Sequence, residues 1–152
     1  MIKKIILLTT IIFLTISCDY QPVYKGLNKL NLNFEIIETV GDKSINSIIQ
    51  SELKKYSIKD NKKKYLIKIS SNYNKIPISK DINGKILIYR SNINVNFDFT
   101  KNNESKTITI ERSFTLKNYL NNFEQRSYEN IIKKDLSKSI VDEFIRTLLS
   151  LK

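Results

Sequence analysis

Ile86-Leu87-Ile88-Tyr89-Arg90-Ser91-Asn92-Ile93-Asn94-Val95-Asn96-Phe97-Asp98-Phe99-Thr100 is the stretch whose reading decides the fold. Its odd-numbered row holds Leu87, Tyr89, Ile93, Val95, Phe97 and Phe99. Its even-numbered row, from Arg90 onward, holds Arg90, Asn92, Asn94, Asn96 and Asp98. Side chains of an extended chain point alternately to opposite faces, so this is a long strand with one apolar and one polar face. A sheet built around it has one side for a core and one side left over for something else.

Turn signals flank the strand. Ile82-Asn83-Gly84-Lys85 precedes it, and Asn-Gly suits the positive φ of a type I′ hairpin. Before that turn, Tyr65, Ile67 and Ile69 read as another strand behind Lys62-Lys63-Lys64, a solvated loop. After the long strand, Lys101-Asn102-Asn103-Glu104 turns the chain. Ile108, Ile110, Phe114 and Leu116 then face one way, with Thr107, Thr109, Glu111 and Thr115 opposite. Upstream, Leu30, Leu32, Phe34 and Ile36 alternate with Asn31, Asn33 and Glu35 until Gly41-Asp42 breaks the pattern.

Two segments carry the helical period. Ile45, Ile48, Ile49, Leu53 and Tyr56 follow Asp42 and Ser44, either of which can cap the helix. Near the C-terminus Tyr128, Ile132, Leu136, Ile140, Phe144 and Leu148 form an i,i+4 row flanked by Ile131, Val141, Ile145 and Leu149. Lys133, Lys134, Lys138, Asp142, Glu143 and Arg146 take the other side, and Asn122 or Ser127 can cap the start. The order β-α-β-β-β-α predicts an α+β two-layer sandwich: a mixed sheet of about four strands with two helices on one face. Parallel pairing of the first two strands, or a shared mixed sheet, follows from the helical crossover. No internal repeat breaks residues 30–152 into more than one domain.

Composition narrows the function. The chain has 152 residues, no His and one Cys. Without His the commonest general base and metal ligand are missing, and Ser-His-Asp or Cys-His nucleophiles cannot be built. One Cys allows neither an internal disulfide nor a Cys-rich zinc site. No carboxylate pair or glycine-rich loop stands out, so the expectation is a non-enzyme without cofactor or metal. The net charge of +11 suits an anionic partner, or reflects the heavy use of Lys, Asn and Ile throughout the chain.

The first eighteen residues bear on the compartment. Met1-Ile2-Lys3-Lys4 is basic, and the apolar run from Ile5 to Ile16 is shorter than the ~20 residues a spanning helix needs. A basic start and a short apolar run are the pattern of a secretory signal, residues 1–17. The run ends at Ser17-Cys18, as in a bacterial lipoprotein signal, where the Cys thiol carries a diacylglycerol thioether. Cys18 is the expected lipid anchor, and several acyl chains at ~0.8 kcal/mol per buried CH₂ hold a protein on a membrane. Residues 18–29, punctuated by Pro22 and Gly26, read as a tether. An exported chain leaves no role for nucleic acid.

Cys18-Asp19-Tyr20-Gln21-Pro22-Val23-Tyr24 resembles the mature start of the lipopolysaccharide-assembly lipoprotein family, LptE. The match to its Cys-Gly-aromatic-x-Pro-Leu-Tyr opening runs to Cys18, Tyr20, Pro22 and Tyr24. Ile88-Tyr89-Arg90 with the strand Ile93 to Phe99 is similar to the family's central hairpin. Ser127-Tyr128 leading to Asp135, then Ile145-Arg146-Thr147-Leu148-Leu149, is similar to its C-terminal helix. The resemblance implies the same β-α-β-β-β-α sandwich, seated as a plug in an LptD-like outer-membrane β-barrel and binding lipopolysaccharide. Asp19 departs from the family's Gly, and in enteric bacteria Asp there favours retention in the inner membrane.

Beside the resemblance stand the residues themselves. Lys85, Arg90, Lys106 and Arg112 are candidates for lipid A phosphates or another anion, Arg being able to bind bidentately. Lys85 and Lys106 are expected to flank one hairpin. Arg112 shares the parity of the apolar row, which calls either for a bulge at Glu111-Arg112 or for an acid partner such as Asp98. Asn92, Asn94, Asn96, Thr107 and Thr109 form the polar row expected to face a barrel. A generic envelope lipoprotein that holds an anionic polymer or another envelope protein is the alternative.

Overall fold

The computed structural model describes residues 32–57, 64–101, 104–119 and 121–151. The expected lipoprotein signal, Cys18 and the expected tether lie outside the described residues. Within the unit Asn31–Lys152 the order is β1 (Asn33–Gly41), α1 (Lys43–Tyr56), β2 (Lys64–Lys80), β3 (Ile86–Lys101), β4 (Glu104–Lys117) and α2 (Asn122–Ser150). The four strands lie in sequence order in one sheet. β1 and β2 run parallel because α1 carries the chain back across the sheet, and the two hairpins make β2-β3 and β3-β4 antiparallel. This is the two-layer α+β sandwich with a mixed sheet that the hydrophobic periods predict.

The alternating row of β3 supplies the middle of the core. Ile93, Val95 and Phe97 are fully buried, and Phe99 nearly so. α1 lays Ile45, Ile49 and Leu53 on that face, and α2 adds Ile140, Val141, Phe144, Ile145 and Leu148. Phe97 and Phe144 stack at 4.2 Å between centroids with 19° between their planes, and Phe34 and Phe99 close around them at about 6 Å. Offset stacking of this kind adds about 0.5–1.5 kcal/mol beyond the buried area.

Several boundaries differ from the periodic reading. β2 continues far past Ile69 to Lys80, through Ser70, Ser71, Asn72 and Asn74. These residues carry little strand signal, but their partners on β3 are already extended and hold them in register. β1 runs on to Gly41 because a bulge at Ile37 resets its facing, leaving Ile37 exposed. The β2-β3 connection is a three-residue loop rather than a two-residue type I′ turn. The Asp81 N–H donates to the Lys85 carbonyl and the Gly84 N–H to the Asp81 carbonyl, with Gly84 at φ +79°. The Asp81 carboxylate accepts from the backbone N–H groups of both Asn83 and Lys85, which favours this wider loop.

Helix ends follow capping chemistry. Asp42 caps α1 by accepting from the Ile45 N–H at 3.0 Å. Asn121, one residue before the expected cap Asn122, caps α2 through the Phe123 N–H. The amino-terminal half of α2 is rotated relative to the expected stripe. Ile131 is exposed, Leu136 is half-buried, and Gln125 and Ser137 are buried instead. No helix among the described residues is long and apolar enough to cross a membrane.

Candidate binding surface

Both helices cover one side of the sheet, so the even row of β3 and the odd row of β4 are left uncovered. Register sets the neighbours in lateral rows. Lys68, Asp98 and Thr107 form one row, with Glu38 at the β1 edge; Ser70, Asn96 and Thr109 form the next. Asn72, Asn94 and Glu111 follow, then Asn74, Asn92 and Ser113, then Ile76, Arg90 and Thr115. Arg90, Asn92, Asn94, Asn96, Thr107 and Thr109 therefore share one uncovered face.

One end of this face is internally bonded. Thr107 donates to Asp98 at 2.6 Å, Thr109 donates to Asn96 at 2.9 Å, and Lys68 pairs with Glu38 at 2.8 Å. The Glu38 carboxylate raises the pKa of the Lys68 ammonium, by hydrogen bond first and by charge second. The middle is different. Among the described residues, the amides of Asn72, Asn74, Asn92 and Asn94 have no side-chain hydrogen bond, and Arg90 has no acid partner. Four neutral amides and one guanidinium thus offer donors and acceptors to an outside group.

The four candidate cations do not form one site. Lys85 sits at the β2-β3 loop and Lys106 opposite Phe99, near the other end of β3. Thirteen strand residues lie between those two levels, about 45 Å at 3.3 Å per residue. The expectation that both flank one hairpin therefore fails. Lys106 lies 3.9 Å from Glu104. Arg112 faces the helices, and β3-β4 pairing runs through it without a bulge. Its guanidinium is committed to Glu143 on α2 and to the Glu111 carbonyl. Asp98, the acid expected for it, is on the opposite face. Arg90 and Lys85 are the two candidates that stay exposed and unpaired among the described residues.

A second polar cluster was invisible in the one-dimensional pattern. On the helix side of β2, the Tyr73 hydroxyl donates to Glu129 at 2.7 Å and lies 3.0 Å from the Ser91 hydroxyl. Lys75 pairs with Glu129 at 2.9 Å and sits over the Tyr89 ring. Lys133, expected on the solvent side, instead lies over the Tyr73 ring at 3.8 Å and pairs with Asp42 at 3.1 Å. Burial pushes the Tyr73 phenol well above its ordinary range, and Glu129 pushes the same way while Ser91 opposes. Burial also acts to raise the Asp42 and Glu129 carboxyls, but hydrogen bonds and the lysines outweigh it and hold both below their usual values. The cluster ties the amino-terminal half of α2 to β2 and to the start of α1. No group of three or more metal-ligating side chains exists among the described residues.

No protein-family model and no curated protein matches the sequence. Solved structures do match. Rare lipoprotein B from Shewanella oneidensis superposes with a TM-score of 0.60 at 12% identity, covering 80% of this chain and 95% of that one. Lipoprotein B from Nitrosomonas europaea gives 0.54 at 17% identity, over 78% and 84%. A minor lipoprotein from Acinetobacter baumannii gives 0.50 at 14% identity, over 76% and 91%. What these share with the chain is the fold. The likeness extends over 84–95% of each solved chain.

Proposed function

We propose that the chain is a lipid-anchored envelope protein and the plug subunit of a lipopolysaccharide translocon, seated in an LptD-like outer-membrane β-barrel that it helps to assemble. The observation that carries this reading is the uncovered sheet face with Arg90, Asn92, Asn94, Asn96, Thr107 and Thr109, polar and with charges of both signs (Lys68 and Arg90 against Glu38, Asp98 and Glu111) close to balance. Such a face suits a water-filled barrel lumen, which is polar, better than hydrocarbon or a dry protein core. The lipoprotein names of the structures that share the fold support an envelope setting, as does the signal ending at Cys18. The role is binding and assembly, without catalysis and without a cofactor. Lipopolysaccharide and a β-barrel are the proposed partners, and the lipid on Cys18 the membrane attachment.

Photo-crosslinkers placed at Asn94 and Thr109 in living cells test this reading. Both should capture a large barrel protein, while a crosslinker at fully buried Phe97 should capture nothing. Depletion of the protein should leave lipopolysaccharide under-exported and the envelope permeable to bulky antibiotics. Normal surface lipopolysaccharide after depletion, or no barrel captured at either position, overturns it. The second reading, an envelope lipoprotein holding an anionic polymer, rests on exposed and unpaired Lys85 and Arg90.

A further inference from the structure

The β2-β3 hairpin closes one end of the sheet, and its composition is at odds with its exposure. Ile82, on the loop itself, is fully exposed; Ile78 and Leu87 on the two arms are each exposed by more than two fifths. A lone exposed aliphatic residue is ordinary, but three within one short hairpin are not. The loop gives Ile82 no structural task, because Asp81 and Gly84 supply the turn's hydrogen bonds and its positive φ.

Cations surround this apolar end. Lys80 and Lys85 bracket the loop. Among the described residues neither lysine has an acid partner. The one acid of the loop, Asp81, is turned back onto the backbone N–H groups of Asn83 and Lys85. The tip is also the far end of the sheet. β1 begins at Asn33 beside Lys64, and β2 takes 17 residues to reach the loop, about 55 Å at 3.3 Å per residue.

We propose that the β2-β3 tip is a membrane-docking wedge: Ile82 enters the acyl boundary of an anionic lipid surface while Lys80 and Lys85 contact the phosphates. The charge decides the occupant. An apolar tip with a basic collar and a sequestered acid matches a bilayer interface, where aliphatic side chains sink below the headgroups and each nearby cation is attracted to anionic lipid. This goes beyond the plug reading and does not require a barrel.

The chain contains no Trp, so Ile82→Trp in the full chain gives a single fluorescent reporter at the tip. Glu104→Trp, at the opposite hairpin, is the reference for adsorption through any other part of the protein. Vesicles of phosphatidylcholine with phosphatidylglycerol should move the emission of the Ile82→Trp protein to shorter wavelength and allow its quenching by brominated acyl chains. The Glu104→Trp protein should show neither effect. Adding Lys80→Gln and Lys85→Gln should weaken the response about fivefold for each lysine removed. An emission unchanged by anionic vesicles, an equal response from the Glu104→Trp protein, or equal insertion into pure phosphatidylcholine would each overturn the proposal. None of these outcomes bears on crosslinking at Asn94, so the two readings fail separately.

Discussion

Gly41 and Gly84 both hold positive φ, at +101° and +79°, yet replacing each with Ala should have very different costs. An L side chain in that region costs about 1–2 kcal/mol at either position. At Gly84 nothing lies within 4 Å of where a Cβ would sit, so the conformational cost is the whole cost. At Gly41 the Cβ would fall 1.7 Å from the Ser71 carbonyl oxygen, a backbone atom on the neighbouring strand. That oxygen also accepts from the Asp42 N–H, and Asp42 caps α1. Relieving the clash therefore pulls apart the end of β1-β2 and the start of the helix together. Overpacking of this kind adds about 1–3 kcal/mol, for about 3 kcal/mol or more in Gly41→Ala. At a urea slope of about 2 kcal/mol/M the midpoint should fall by about 1.5 M for Gly41→Ala and about 0.5–1 M for Gly84→Ala. Equal midpoints for the two variants would refute the close approach of β1 to Ser71, and a larger loss at Gly84 would refute the assigned loop.

Phe144→Ala should cost about 3–5 kcal/mol in urea melts, because its ring is fully buried and stacked on Phe97. Half-buried Leu136 should lose less on truncation to Ala, and Arg146→Ala should stay within about 0.5 kcal/mol as an exposed site. Asp42 and Glu129 are held below their ordinary values of 3.8 and 4.5, so each favours the folded state above the unfolded pKa. That contribution is lost as pH falls through the folded pKa, and acid melts of Glu129→Gln should show a shallower loss than the parent. Cys18→Ser should abolish metabolic labelling by a palmitate analogue, and equal labelling of both proteins would remove the lipoprotein reading.

Much of this protein is legible in one dimension, because burial on a strand or a helix imposes a period that the chain must carry locally. The row Ile93, Val95, Phe97 and Phe99 specified a one-sided central strand, and the helical rows of α1 and α2 specified what covers it. The uncovered face followed from the same parity, since side chains opposite a buried row have nowhere else to point. Register and helix rotation are another matter, because they depend on partners distant in sequence. The polar half of β2 is extended only because β3 pairs with it. Arg112 meets Glu143 rather than Asp98, and Lys133 turns inward over Tyr73, only once α2 has settled on the sheet. The same holds for the cations. Their number is a property of the sequence, but about 45 Å of strand separates Lys85 from Lys106. Tertiary structure alone decides which charges neutralise one another in the interior and which remain free at the tip.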